Sequence, residues 1–149
     1  MRRVTAPSAT VAVIGAGASP LVGDLAASGR TVIAVDISAA ALDVLRCDNI
    51  GNDRIRSDRI RYVVADMRTV TFDEPIDAWH DRAVFHFLTE PDDQAAYAAS
   101  AARAVRSGGH LVLATFAPGG PTMCSGLPTA QHDAESLASV FEPDFELVE

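Results

Sequence analysis

The chain has 149 residues, 48% of them hydrophobic, and a formal net charge of -8 at pH 7. We therefore expect one globular domain with a buried core over residues 1–149. The acidic charge argues against a nucleic-acid partner, because nucleic acids bind basic surfaces. No apolar run is long enough to span a membrane and no signal peptide is recognisable, so we expect a cytoplasmic protein without a membrane partner.

The two cysteines indicate neither a metal site nor a disulfide framework. Cys47 and Cys124 are far apart in the sequence, and neither belongs to a CxxC or Cys/His pattern. Zinc sites use several such ligands at short and regular spacing. We therefore predict two reduced thiols and no metal site.

Apolar segments and helix-compatible segments alternate along the chain. Strands are predicted at Thr10–Ile14, Thr31–Val35, Ile60–Ala65, Ile76–Trp79 and His110–Phe116. Helices are predicted at Pro20–Ser28, Ser38–Arg46, Pro91–Arg106 and Asp133–Phe141. Ser38 and Asp133 are the expected N-caps, and Gly29 and Gly108 are expected to end helices. This alternation predicts an α/β fold, a doubly wound and mostly parallel sheet that binds ligands at the carboxyl ends of its strands.

A glycine-rich turn, VIGAGASP, joins the first strand to the first helix. Gly15 and Gly17 allow backbone N–H groups to approach a ligand closely, and the helix N-terminus favours negative charge. Asp36, at the end of the second strand, is suited to accept hydrogen bonds from ribose hydroxyls. These features fit a nicotinamide dinucleotide or S-adenosylmethionine (SAM). Pro20 replaces the third glycine of the dinucleotide pattern, and the chain has no lysine for a catalytic Tyr-Lys pair.

Two later strand ends favour SAM over a dinucleotide. YVVADM places Asp66 where a carboxylate accepts from an adenine amino group, with Met67 as its apolar neighbour. IDAWHDRAVFHFL places His80 and Asp81 at the end of the fourth strand, where we expect them to face the same crevice. Acids thus follow three successive strands.

Taken in order, these motifs and RSGGHLVLATF resemble the class I SAM-dependent methyltransferases over residues 11–149. WHDRAVFHFLTEP, GGHLVLATFAPGGP and CSGLP look like a bacterial subgroup of small members. The resemblance implies SAM as cofactor and methyl transfer as the activity. The site residues that it implies are Gly15, Ala16 and Gly17 for the methionine moiety, Asp36 with Ile37 for the ribose, and Asp66 with Met67 for the adenine.

Methyl transfer is an in-line displacement, so the protein mainly has to hold the nucleophile against the methyl group. Asp81 and His80 are the candidate catalytic residues, because a base helps to remove a proton from an amine or hydroxyl acceptor. Asp81 is also a candidate cofactor contact, and His86 is expected to be a packed histidine. The implied acceptor is a small molecule or a protein, with the loop 118–131 shaping its pocket.

Two features depart from the family pattern. Val13 stands where the family usually has an acid, and FELVE, at the end of the sequence, reads as a sixth strand with no seventh. We expect the edge of the sheet at the fifth strand to be open. The protein then either pairs these edges in a homodimer or is a shortened and weakened relative of the family. The functional alternatives are an inactive SAM-binding relative and an NAD-dependent oxidoreductase.

Overall fold

In the computed structural model, which describes residues 5–50, 54–55, 57–82 and 84–148, strands and helices alternate from the first strand to the third, and the fourth strand follows the third without a helix between them. The strands are β1 Thr10–Ile14, β2 Thr31–Asp36, β3 Ile60–Val64, β4 Ile76–Asp81, β5 Val105–Leu113, β6 Met123–Cys124 and β7 Leu127–Pro128. The helices are α1 Pro20–Ala27, α2 Ala39–Asn49, α3 Pro91–Ala104 and α4 Ala134–Phe141. Short 3-10 helices cover Ser57–Arg59 and Phe85–Phe87.

Five strands form one parallel sheet in the order β3-β2-β1-β4-β5. Helices α1 and α2 pack on one face, against an apolar cluster that includes Val11 and Val13. Helices α3 and α4 pack on the other face, against a cluster that includes Ala12 and Ile14. Successive residues of β1 therefore enter opposite core layers, as expected for a strand buried on both sides. The predicted fold class is confirmed.

Two predicted helix N-caps are confirmed by their hydrogen bonds. The Ser38 side chain accepts from the backbone N–H of Ala41, and Asp133 forms a capping box with Ser136. Each cap satisfies a backbone donor that the first helical turn leaves without an intrahelical partner.

The predicted boundary between α3 and β5 was wrong. Helix α3 ends at Ala104, and Gly108 lies inside β5 with a φ of 71° instead of ending a helix. The register shifts between Ile76↔Val105 and Ala78↔His110, so β5 contains extra residues opposite β4. The strand thus begins directly after the helix and bulges at the Gly-Gly pair.

The FELVE segment does not form the predicted sixth strand. The described residues 145–148 have no strand pairing, and the sheet ends at β5. A strand needs a hydrogen-bonded neighbour, and none of the described strands pairs with this segment. Among the described strands β5 is at the edge of the sheet, and its pairing with a second copy stays a prediction. Within the described residues, no helix is long and apolar enough to cross a membrane.

Replacing Gly109 with alanine should destabilise the fold. A Cβ at this position would lie 2.9 Å from the carbonyl oxygens of both Arg106 and Asp77, so the backbone would have to move. We expect urea denaturation to show a loss of about 1–3 kcal/mol in unfolding free energy, the usual cost of overpacking. Ser107→Ala, an exposed residue of the same bulge, is the control and should cost less than about 0.5 kcal/mol. Equal stability of the two variants would contradict the described packing.

Candidate functional site

The carboxyl ends of β1 and β4 border a small cleft. The connections after β1 and β2 run over one face of the sheet, and the connection after β4 runs over the other. The order in which strands are added therefore reverses between β1 and β4. Ligands of doubly wound sheets bind at such a point. The cleft is lined by Val13, Ile14, Gly15, Ser19, Leu21, His80, Arg82 and Val84.

The glycine-rich turn forms one wall of this cleft. Gly15 and Gly17 have φ values of 61° and 45°, which favour glycine. A Cβ added to Gly15 would clash with the Val84 Cγ2 atom, whereas one added to Gly17 would meet nothing closer than 3.8 Å. Gly15 is therefore required by the packing of the turn itself. The turn continues into α1, where Pro20 occupies the first helical turn.

Asp36 is held in place by the backbone on either side of it. One carboxylate oxygen accepts from the Gly17 N–H at 2.8 Å and the other from the Ser38 N–H at 2.8 Å. A carboxylate offers roughly four acceptor positions, so about two remain for other donors. The next residue, Ile37, is 65% exposed and presents an apolar surface beside the carboxylate. This pair fits the predicted ribose contact.

Asp66 follows β3 and forms a compact ion pair with Arg68. The Arg68 backbone N–H and guanidinium both donate to the carboxylate, and the guanidinium also binds Asp93 at 2.6 Å. These hydrogen bonds hold the pKa of Asp66 below its ordinary range. Met67 packs against the core layer of α3 and α4. Asp66 is thus a fixed carboxylate at the edge of the sheet.

Sequence reasoning missed Arg68. The residue carries no motif, and its second partner, Asp93, lies 25 residues further along the chain. Only the three-dimensional arrangement brings the end of β3 against the start of α3. Nothing in the sequence pattern could have identified this bridge.

Asp81 is completely buried, and its carboxylate has several donors. Its two oxygens accept from the backbone N–H groups of Val84 and Phe85 at 2.8 and 2.9 Å, and one also accepts from the Tyr97 hydroxyl at 2.7 Å. Tyr97 in turn accepts from the indole N–H of Trp79 at 2.7 Å. Burial raises the pKa of Tyr97 well above its ordinary value, so the hydroxyl keeps its proton and donates it.

We predicted that His80 and Asp81 face the same crevice, and this prediction was wrong. They are consecutive residues of β4, and side chains alternate between the two faces of a sheet. His80 lines the cleft, while Asp81 points into the layer of α3. Their predicted catalytic roles stay predictions, and the burial of Asp81 favours a positioning role. Burial lowers the pKa of His80, so the imidazole is uncharged at neutral pH.

His86 is buried, as the sequence predicted, and stacks on Phe116 with the ring centres 4.8 Å apart. Burial lowers its pKa. Its Nε2 has no hydrogen-bond partner among the described residues. The backbone oxygen of His86 accepts from the Ala130 N–H at 2.7 Å, which attaches the loop 118–131 to the residues after β4. No cluster of metal-ligating side chains occurs in the described part of the chain.

Comparison with known proteins identifies the fold. A family model described as a methyltransferase domain matches residues 12–113, and none of the curated proteins matches the chain. A SAM-dependent methyltransferase from Methanosarcina mazei aligns with a TM-score of 0.69 and 18% identity, over 78% of this chain and 56% of that one. A TehB-like SAM-dependent methyltransferase from Corynebacterium glutamicum aligns with a TM-score of 0.71 and 20% identity, over 96% of this chain and 68% of that one.

The glycopeptide N-methyltransferase MtfA, in complex with S-adenosyl-L-homocysteine, aligns with a TM-score of 0.66 and 24% identity. The alignment covers 75% of this chain and 47% of that one. The chain thus spans about half of MtfA and 56% of the Methanosarcina protein. The narrower bacterial subgroup stays a prediction.

Replacing Gly15 with alanine should destabilise the protein more than the same change at Gly17. Both residues have positive φ, which costs alanine about 1–2 kcal/mol. Only Gly15 would also place its Cβ against Val84, adding about 1–3 kcal/mol. Thermal unfolding of both single variants and of Gly15→Ala/Val84→Ala measures the difference. We expect Val84→Ala to recover part of the loss, and the contact is refuted if Gly15→Ala and Gly17→Ala are equally stable.

Replacing Tyr97 with phenylalanine should cost about 1–3 kcal/mol of unfolding free energy, because it leaves the buried Trp79 N–H without an acceptor and Asp81 without one donor. Denaturation in urea measures the loss. Tyr62→Phe removes the same hydroxyl from a half-buried position and is the control. A cost at position 97 no greater than at position 62 would argue against the buried network.

Proposed function

The chain belongs to the methyltransferase domain family, and on this premise we propose that it binds SAM at the carboxyl ends of β1, β2 and β3 and transfers the methyl group to an acceptor. The acceptor is a small molecule or a protein side chain. We also propose that the protein is a single domain located in the cytoplasm and that it binds neither nucleic acid nor a membrane. Two copies would pair through the edge strand β5.

The observation that carries this proposal is the anchored carboxylate of Asp36. Two backbone N–H groups fix it from the glycine-rich turn and from the start of α2. An acid held in this way is preorganised to accept hydrogen bonds from two vicinal hydroxyls without losing side-chain entropy on binding. The exposed side chain of Ile37 supplies apolar contact next to it.

The adenine end of the proposed site lies at Asp66 and Met67. Arg68 keeps the Asp66 carboxylate ionised and fixed, and an ionised carboxylate only accepts hydrogen bonds. Three donor groups of Arg68 already bond to it, so about one of its roughly four acceptor positions remains for the exocyclic amino group of adenine, which donates. Gly15, Ala16 and Gly17 would hold the methionine end with the backbone of the turn.

SAM, when bound, supplies an electrophilic methyl group on a sulfonium. The contribution of the chain is to hold the acceptor in line with it and to exclude water. In our proposal Asp81 is a positioning residue, because its hydrogen bonds fix the backbone of Val84 and Phe85 after β4. The loop 118–131, which is attached to His86, borders the acceptor side. Proton removal by His80 stays a prediction.

A non-catalytic SAM-binding relative is the second candidate. Val13 is apolar and only 3% exposed where the family usually has an acid, and the predicted base Asp81 is buried. An NAD-dependent oxidoreductase is disfavoured, because Pro20 starts α1 where the dinucleotide pattern has a glycine. Turnover with a methyl acceptor would separate the first two candidates, and cofactor binding would separate both from the third.

Calorimetric titration tests the cofactor. We expect S-adenosylhomocysteine to bind and NAD to give no heat. Asp36→Asn should weaken S-adenosylhomocysteine binding about 10- to 100-fold, since hydrogen bonds to a charged acceptor are lost. Asp43→Asn is the control, because Asp43 is an exposed acid on α2 that pairs with Arg46. Binding of NAD in place of S-adenosylhomocysteine would overturn the proposal, and unchanged affinity of Asp36→Asn would refute the ribose assignment.

A further inference from the structure

The cleft between β1 and β4 is lined by three polar side chains that the proposed ribose and adenine contacts do not use, those of Ser19, His80 and Arg82. We propose that His80 and Arg82 recognise the amino-acid end of the cofactor, with the His80 ring accepting from its ammonium group and the Arg82 guanidinium pairing with its carboxylate. The inference rests on the proposed function, because it assumes a cofactor that ends in an α-amino acid. It assigns His80 to binding instead of to proton removal.

Strand pairing places His80 against the glycine-rich turn. In the parallel pairing of β1 with β4, His80 is the partner of Val13, and both line the cleft. Val13 offers no acceptor in its side chain, so the uncharged side-chain acceptors of this lining are the His80 ring and the Ser19 hydroxyl. The backbone of Gly15 lies two residues beyond Val13. A ligand bound over the turn would therefore meet the edge of the His80 ring.

The charge state of His80 suits an ammonium group. Burial is the main cause that lowers the pKa of His80, Arg82 acts in the same direction, and the carboxylate of Asp81 opposes them. The uncharged imidazole has one ring nitrogen with a free lone pair, which accepts a hydrogen bond. A protonated ring would instead repel a cation.

Arg82 is the complementary cation. It is exposed at the mouth of the cleft, and no carboxylate of the described residues lies within ion-pair distance of its guanidinium. The neighbouring Asp81 is buried on the opposite face of the sheet, where its carboxylate accepts from the Val84 N–H and the Tyr97 hydroxyl. A guanidinium binds a carboxylate through two parallel hydrogen bonds. A cation beside a neutral acceptor matches the two groups of a zwitterionic amino acid.

Two ligands that differ only at this end provide the test. S-adenosylhomocysteine carries the amino acid, whereas 5′-methylthioadenosine has the same adenosine and thioether without it. We expect Arg82→Gln and His80→Phe each to weaken S-adenosylhomocysteine binding about tenfold or more, while 5′-methylthioadenosine affinity changes less than about twofold. His80→Gln keeps an acceptor and should retain more affinity than His80→Phe. Arg103→Gln, an exposed arginine on α3, is the matched control and should bind both ligands normally.

The outcomes separate this inference from the proposed function. Unchanged S-adenosylhomocysteine affinity in Arg82→Gln and His80→Phe would overturn the inference, as would an equal loss for both ligands, which indicates a general disturbance of the site. If the unsubstituted protein binds neither ligand, the proposed function fails first. Because Arg82 is exposed, its variant tests the inference even if replacement of the half-buried His80 impairs folding.

Discussion

The buried carboxylate of Asp81 is the interaction on which the site depends. A charge taken out of water is costly unless hydrogen bonds replace its hydration, and here the backbone after β4 and the Tyr97 hydroxyl supply them. These bonds fix Val84, whose methyl group packs against Gly15. The carboxylate therefore connects three elements, namely the end of β4, helix α3 and, through Val84, the glycine-rich turn. The shape of the cleft follows from a group that does not line it.

The last two residues of β4, His80 and Asp81, have different roles because their side chains lie on opposite faces of the sheet. Asp81 faces the core layer of α3 and stabilises the backbone, and His80 faces the cleft with its ring uncharged. Alternation along one strand thus separates a structural acid from a side chain available to a ligand. Because the acid is committed to the interior, the proposed chemistry at the cleft relies on positioning more than on a strong base.

Much of the fold could be predicted from the sequence, since apolar segments bounded by turn residues locate the strands well. β1 was predicted with its observed bounds, and Ser38 and Asp133 cap helices as expected. The α3–β5 boundary was missed, because a glycine pair that reads as a helix end instead forms a bulge within the strand. FELVE reads as a strand, yet a strand exists only where a neighbour pairs with it.

The candidate site was predictable in part. The acids after β2 and β3 occupy strand ends as expected, because a motif and a local pattern locate them. The orientation of Asp81 was missed although alternation from Trp79, a core residue two positions earlier, indicates it. The bridge that Arg68 forms between Asp66 and Asp93 was not predictable. The two acids come within reach of the same guanidinium only because α3 packs against the sheet.

Helix α3 contacts both halves of the proposed binding site without lining it. Near its start, Asp93 joins Arg68 and so reaches the acid at the end of β3, and one turn later Tyr97 reaches the acid at the end of β4. The acids that follow or end β3 and β4 are therefore both bonded to a single helix on one face of the sheet, Asp66 through Arg68 and Asp81 directly. A small shift of α3 would move the adenine side of the proposed site and, through Asp81 and Val84, one wall of the cleft, so changes in sequence along this helix can alter ligand binding.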